Sequence, residues 1–294
     1  MPELAEAEFF RKRWHLAARG ARIATVLTHD RAKIFRGTAP AAVRRVLTGA
    51  KYLGSEARAK QMLFRFGGSD TTRAKSRVWL GIHLGMSGEL RAEPSDYVPQ
   101  KHDHLVLRAA RPGRRKAAGR SLVFTDPRMF GRVQFHRGPN PPAWWTSIAP
   151  AIRSDAFSRE AVAAFLRRRA RAPIKAVLLM QERFPGIGNW MADEILWRAA
   201  IHPQRLAGSL KPAEVRTLWR ECRRVCRLAL AAIAGRGDYL PPNLNAHIPR
   251  SWLFWHRWED GGRCPRTKKP LHREEVGGRT TCWSPARQKL TRNV

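Results

Sequence analysis

The chain opens Met1-Pro2-Glu3-Leu4-Ala5-Glu6, and the second residue brings the first candidate chemistry. A methionine ahead of proline is usually trimmed, because the next side chain is small. Trimming leaves Pro2 as a free secondary amine, which can attack an aldehyde-level carbon and form an iminium ion. That iminium has no N–H proton to lose, so it stays cationic and draws electrons from the adjacent carbon. An amine nucleophile needs a proton shuttle close by, and Glu3 and Glu6 are near in sequence. The plainer reading, an ordinary start to an N-terminal segment, competes with this one on six residues alone.

Three further words carry possible chemistry. Phe184-Pro185-Gly186-Ile187-Gly188-Asn189 runs straight into a helical pattern. A glycine turn at a helix start presents backbone N–H groups and a positive dipole end, a seat for phosphate. Read alone it is also a tight turn with Asn189 as N-cap. His83-Leu84-Gly85-Met86-Ser87-Gly88 is a strand that ends in a glycine turn. Thr125-Asp126-Pro127-Arg128-Met129-Phe130-Gly131 is a turn offering one arginine and one phenylalanine. Each can be a packed turn. Each can also present an apolar wedge of the kind inserted into a duplex when a base is extruded.

The elements that must position these residues differ between the two halves. The first half is β-rich. Residues 22–28, 61–66, 78–84, 104–107 and 122–125 read as short strands, punctuated by Gly67-Gly68-Ser69-Asp70 and Arg111-Pro112-Gly113. A leading helix over 5–18 keeps Leu4, Ala7, Phe10 and Trp14 at helical spacing. Strands at this spacing imply a two-layer sandwich. Gly138-Pro139-Asn140-Pro141-Pro142 reads as a break. The second half is helical, with helices predicted over 159–169 behind Ser158 as N-cap, 172–181, 189–199 and 211–234. The stripe Val215, Leu218, Cys222, Val225, Ala229, Ala232 makes Cys222 a core residue, and Cys226 lies one turn on. The expected organisation is α+β: an N-terminal domain over 1–140, a linker over 141–154, a helical domain over 155–250, and a hairpin and tail over 251–294.

Composition narrows the partners. Lys and Arg number 56 against 23 Asp and Glu, a formal charge of +33 spread along the whole chain. Such a surface attracts polyanions, nucleic acid first among them, with an anionic membrane surface as the alternative. No apolar run reaches the roughly 18–20 residues needed to cross a bilayer. The N-terminus, with glutamates before its first basic residue, does not read as a signal peptide. A cytoplasmic, nucleoid-associated protein is the expectation if the source is bacterial, with a nucleus as the other compartment. Four cysteines do not make a secreted disulfide framework.

Taken together these words resemble the formamidopyrimidine-DNA glycosylase / endonuclease VIII family of base-excision repair enzymes, from Pro2 to Gln288. The opening Pro2-Glu3-Leu4-Ala5-Glu6, Gly49-Ala50-Lys51-Tyr52-Leu53, the 83–88 word, Lys101-His102-Asp103-His104, the 125–131 word, the 186–189 turn and Ile201-His202-Pro203 stand in the family's order. The resemblance implies an N-terminal β-sandwich with a leading helix, then a helix-two-turn-helix module and a β-hairpin finger, with DNA in the cleft between them. It implies Pro2 as nucleophile at C1′, Glu3 as the acid/base that opens the sugar, and Glu6 as a supporting carboxylate. Lys51 is similar to the lysine that holds a phosphate beside the lesion. Met86, Arg128 and Phe130 resemble the residues that fill the void left by the flipped nucleotide, and Arg128 can also bond the orphaned base. His102, Lys175 and Asn189 resemble backbone-binding positions, and Arg279 the finger arginine. The implied reaction is base excision followed by β- and δ-elimination, on duplex DNA with oxidised bases or abasic sites, by a monomer that needs no organic cofactor. The stretch 237–250 is expected over the flipped base. A non-catalytic lesion-binding clamp and a general nucleic-acid-coating protein are the rival functions. The intact Pro2-Glu3 pair opposes the first and the two wedge loops oppose the second.

The finger departs from the family. Its usual four zinc cysteines fall here on Cys264, Thr267, Ser284 and Arg287, and Cys282 lies two residues early. Structural zinc needs four good ligands, so a zincless hairpin held by packing is expected. A shifted site using Cys264, Cys282, His272 and His256 is the rival. Ala5 replaces a family proline, and Met129 a position often basic.

Overall fold

The computed structural model describes residues 2–67, 77–110 and 119–290. The predicted turn residues Gly68, Ser69, Asp70, Arg111, Pro112 and Gly113 lie outside them. The chain forms two compact units. One is Met1–Ile148 with Ala234–Leu240, and the other is Ala149–Ile233 with Pro241–Val294. The division falls between Ile148 and Ala149 and again on either side of residues 234–240. Residues 234–240 belong with the first unit, and the finger is continuous with the helical unit.

The first unit begins with α1 (Leu4–Ala18), whose apolar face buries Ala5, Phe9, Phe10, Trp14 and Ala18. Its ammonium-bearing Lys12 is buried as well, donating from Nζ to the carbonyls of Ala234 (2.7 Å) and Tyr239 (2.8 Å). That contact fastens the returning segment to the first unit. Next come β1 (Arg22–Thr28), α2 (Pro40–Leu47), β2 (Lys51–Arg58), β3 (Gln61–Gly67), β4 (Arg77–His83), β5 (Glu89–Pro94), β6 (Asp103–Ala110), β7 (Arg120–Thr125), β8 (Arg132–Arg137) and α3 (Ala143–Thr146). The strands run β5-β7-β6-β1-β2-β3-β4-β8, every pair antiparallel. β1 and β2 share one register pair, Arg22 with Lys51, so the ladder is nearly severed there. It becomes two four-stranded halves, the layers expected of a sandwich. α1 packs on β5 and β7 of one half and β2 and β3 of the other. Trp14 meets Phe64 at 5.0 Å between rings, and Tyr52 stacks on Phe66 at 5.2 Å.

The second unit contains α4 (Arg159–Arg168), α5 (Ile174–Leu178), α6 (Asn189–Ala199), α7 (Pro212–Ala229), β9 (His272–Val276) and β10 (Arg279–Trp283). Ser158 caps α4, its Oγ accepting from Ala161 N at 3.1 Å. α5 is a single turn and a half, shorter than the pattern suggested. α7 ends at Ala229 and continues as a π-helical turn over Leu230–Ala234. Cys222 and Cys226 are buried in α7, as the stripe required. β9 and β10 form a hairpin across Gly277 and Gly278, both at positive φ (60° and 73°), the torsions of a two-residue I′ turn. A Cβ on Gly277 would lie 2.7 Å from Ala176 Cβ, so glycine lets the hairpin tip rest on α5.

Candidate active site and nucleic-acid surfaces

Pro2 is half-buried and immediately precedes the N-cap of α1. The cap is reciprocal. The Glu3 carboxylate takes the Glu6 backbone N–H, and Glu6 Oε2 takes the Glu3 N–H at 3.2 Å. Both carboxylates are therefore oriented by the helix start itself, and Glu3 is buried. Lys51 is exposed at the first position of β2, on the seam opposite Arg22.

The two wedge loops are adjacent. Met86 is 37% and Phe130 49% exposed, large values for apolar side chains. The Arg128 guanidinium lies over the Phe130 ring at 5.0 Å. Gly85 has φ +65°, and a Cβ there would come within 2.4 Å of the Phe130 carbonyl carbon. Glycine at this position therefore permits backbone-to-backbone contact between the loops. His102 is half-buried, and its carbonyl accepts from Thr125 Oγ1 (3.1 Å) and Asp126 N (3.0 Å).

His83 is a residue the sequence reading passed over. Its Nδ1 accepts from Gly85 N at 3.1 Å, so its proton sits on Nε2. Burial first, then the nearby charges of Lys60 and Arg36, lower its pKa and keep it neutral. A neutral N–H donor at the foot of the Met86 loop suits a phosphate oxygen. Its signal in sequence was its place at the end of an apolar strand, where a core residue would be expected.

In the second unit Asn189 is the first residue of α6, behind Gly188 as N-cap. Its Nδ2 donates to Thr280 O at 2.8 Å, which ties the helix start to the hairpin beside exposed Arg279. The preceding turn satisfies much of itself: Gly186 N donates to Gln181 Oε1 at 2.9 Å and Ile187 N to Phe184 O at 3.2 Å. The open phosphate seat expected from its glycines is thus partly closed.

Lys175 requires a correction. It is fully buried on α5, ion-paired to Asp193 and donating to Asn189 O at 2.8 Å. Asp193 also accepts from Arg257 Nη2 (2.6 Å), Arg257 Nε (3.1 Å) and Cys282 N (3.1 Å). An ammonium so enclosed does not reach DNA. It supports the Asn189 turn from behind.

The finger residues pack rather than converge on a metal. Cys264 Sγ accepts from Trp197 Nε1 at 3.3 Å, within a cluster of Trp197, Leu253, Cys264, Leu271 and Cys282. Burial alone would push the Cys264 thiol up; hydrogen bonds from Thr267 and from Trp197 Nε1 outweigh it and bring it down to about 7. Cys282 is instead pushed up to about 12, by burial and then by the Asp193 charge. Arg266 and Arg287 lie over Trp197 at 4.7 and 5.5 Å. Gln288 bridges Ser284 N (2.8 Å) and Ile201 O (2.9 Å). His256 Nε2 contacts Arg250 O at 3.0 Å, and the His272 ring meets Trp283 at 5.3 Å. Among the described residues no group of three or more His, Cys, Asp or Glu could hold a metal. One thiol with two hydroxyls and a guanidinium does not fit structural zinc.

Comparison with known proteins agrees with this layout. The sequence model of the formamidopyrimidine-DNA glycosylase N-terminal domain matches residues 1–133, and that of the family's H2TH domain matches residues 148–237. The chain belongs to the formamidopyrimidine-DNA glycosylase family. It is 35% identical over 292 residues to the formamidopyrimidine-DNA glycosylase of Roseiflexus sp. (strain RS-1), covering 98% of this chain and 100% of that one. It is 33% identical over 294 residues to that of Thermus thermophilus, covering 98% of each. Among solved structures, Lactococcus lactis Fpg complexed with DNA containing an abasic site superposes with a TM-score of 0.81 at 23% identity, over 98% of this chain and all of that one. MutM complexed with DNA containing carbocyclic 8-oxo-G gives the same TM-score, identity and coverage. The chain has the two-domain family fold, with an N-terminal sheet and a C-terminal H2TH module. Among the described residues no helix is long and apolar enough to cross a membrane.

Proposed function

We propose that this chain is a bifunctional DNA glycosylase and AP lyase, acting as a monomer on duplex DNA with oxidised bases or abasic sites. DNA glycosylase action in base excision repair follows from the family. The lyase half rests on one observation, the placement of Pro2 directly ahead of the Glu3–Glu6 capping box at the positive end of α1. The Pro2 nitrogen attacks C1′, and its N–H proton passes to the base, which leaves. Glu3 protonates O4′, the C1′–O4′ bond breaks, and the nitrogen–C1′ bond becomes an iminium. Loss of a C2′ proton then expels the 3′ phosphate (β-elimination), a second elimination expels the 5′ phosphate, and water hydrolyses the iminium to free Pro2, leaving a one-nucleotide gap. Glu6 holds Glu3 in register.

Lys51, His83, His102, Asn189 and Arg279 supply phosphate contacts, Arg279 also aiding catalysis. Met86, Arg128 and Phe130 occupy the place of the flipped nucleotide. The finger works without metal, its knuckle held by the Trp197 packing and the Cys264 hydrogen bonds.

Borohydride trapping tests the reading. Protein with Met1 removed is mixed with an abasic-site duplex and reduced. A covalent protein–DNA band that vanishes when the N-terminus is extended supports the Pro2 iminium. Tight binding without a band would instead support a lesion-binding clamp of the same fold.

A further inference from the structure

The Asp126 carboxylate is fully buried and is shared between the two loops that carry the wedges. From the first loop, Ser87 Oγ donates to Oδ1 at 2.7 Å. From the second, Arg128 N donates to Oδ1 at 3.3 Å and Gly131 N to Oδ2 at 2.7 Å. All three donors are neutral and directional, so they constrain geometry more than they balance charge.

The Asp126 backbone is held as firmly. Its N–H donates to His102 O at 3.0 Å, and its carbonyl accepts from Met129 N at 3.1 Å. His104 Nε2 lies 3.0 Å from the same carbonyl. Because a carbonyl only accepts, the His104 proton is on Nε2. Nδ1 of His104 then accepts from His29 Nδ1 at 3.2 Å. Met129 sits at φ 53°, a left-handed torsion that persists in a non-glycine residue only where the surroundings over-determine it. Met86 and Phe130 are partly exposed, so the backbone beneath them helps set their direction.

We propose that Asp126 is a positioning residue that locks the loops 84–88 and 126–131 into one rigid element, so that Met86, Arg128 and Phe130 enter a duplex together. The proposal rests on the wedge reading given above. A wedge is needed only where a partner strand leaves an orphaned base. Loosening the lock therefore slows reaction on a duplex and spares the same site in a single strand.

The experiment measures borohydride-trapping rates for one abasic oligonucleotide, alone and annealed to its complement. Asp126→Asn replaces one acceptor oxygen with an NH2 that faces donors. It is expected to slow trapping on the duplex about tenfold, the scale of one hydrogen bond to a charged group, with the single-strand rate within about twofold of the original. Ser87→Ala, which removes a single donor, shifts the ratio in the same direction by less, and decides the matter if Asp126→Asn does not fold. In a Met86→Ala/Phe130→Ala background, Asp126→Asn adds no further loss on the duplex. Equal slowing on both substrates would overturn the proposal, as would an undiminished effect in the doubly truncated background. If Met86→Ala/Phe130→Ala by itself leaves the duplex-to-single-strand ratio unchanged, the wedge reading has failed and takes the lock with it.

Discussion

Replacing Lys175 with methionine separates a buried support from a DNA contact. A lysine that neutralises a phosphate releases counterions on binding, and its loss lowers the magnitude of the log K against log salt slope by about 0.9. Lys175 is enclosed between Asp193 and the Asn189 carbonyl, so Lys175→Met is expected to leave that slope unchanged. The cost falls on folding instead. Removing one partner of a buried ion pair costs about 3–5 kcal/mol when the other charge is left alone. Here Asp193 keeps Arg257 and the Cys282 N–H, so a smaller loss of about 2–3 kcal/mol is expected. Asp193→Ala strands two buried cations and is the more damaging change. Anisotropy titrations with an abasic-analogue duplex over a salt series give the slope, and urea unfolding gives the stability. A slope reduced by about one unit with stability intact would refute the enclosure of Lys175.

Three further outcomes are expected. Purified protein should carry well under one equivalent of zinc by elemental analysis, and its unfolding midpoint should not move with EDTA; a stoichiometric metal lost together with stability would reject the metal-free finger. The Cys264 thiol, held at about 7 in the fold, favours the folded state in its ionised form. The stability difference between the native protein and Cys264→Ser should therefore grow as pH rises from about 7 towards the unfolded thiol value of about 8.5, and its pH-dependent part should vanish as pH falls through 7; a flat difference would show that the thiol is not stabilised as an anion. Gly85→Ala forces a Cβ to within 2.4 Å of the Phe130 backbone at φ +65°. It should lower the melting temperature and the duplex reaction together, and an unaltered variant would mean that the loops do not touch there.

Several elements escaped the sequence reading for identifiable reasons. β5 and β8 are the two end strands of the ladder. Edge strands pair on one side only, and although Leu90 and Ala92, and Val133 and Phe135, alternate with charged or polar neighbours, each strand offers only two apolar positions, a short signal. β2 has a register shift between Tyr52 and Gly54, and a bulge of that kind breaks the period of two. α2 was also passed over, although it carried a signal: Pro40 stands at its first turn and Val43, Val46 and Leu47 mark one face. The site divides in the same way. Pro2, Glu3, Glu6, Met86, Arg128, Phe130 and Arg279 could be singled out from contiguous words. His83 looks like a strand end, and nothing local to Lys175, which the resemblance marks as a backbone contact, shows that it is buried against Asp193.

What the sequence determined by itself was local: the reciprocal cap at Glu3 and Glu6, β1 over Arg22–Thr28, the start of α6 at Asn189 and the glycine hairpin at 277–278. Torsional preference, capping and amphipathic period depend on neighbours within a few residues, so contiguous words encode them. The tertiary structure alone decided which charges are buried and with whom. Asp193 gathers partners from positions 175, 257 and 282, Lys12 captures carbonyls at 234 and 239, and Asp126 joins loops begun at 84 and 126. A buried charge is stable only if distant segments deliver its partners, and no local spacing records which segments those are.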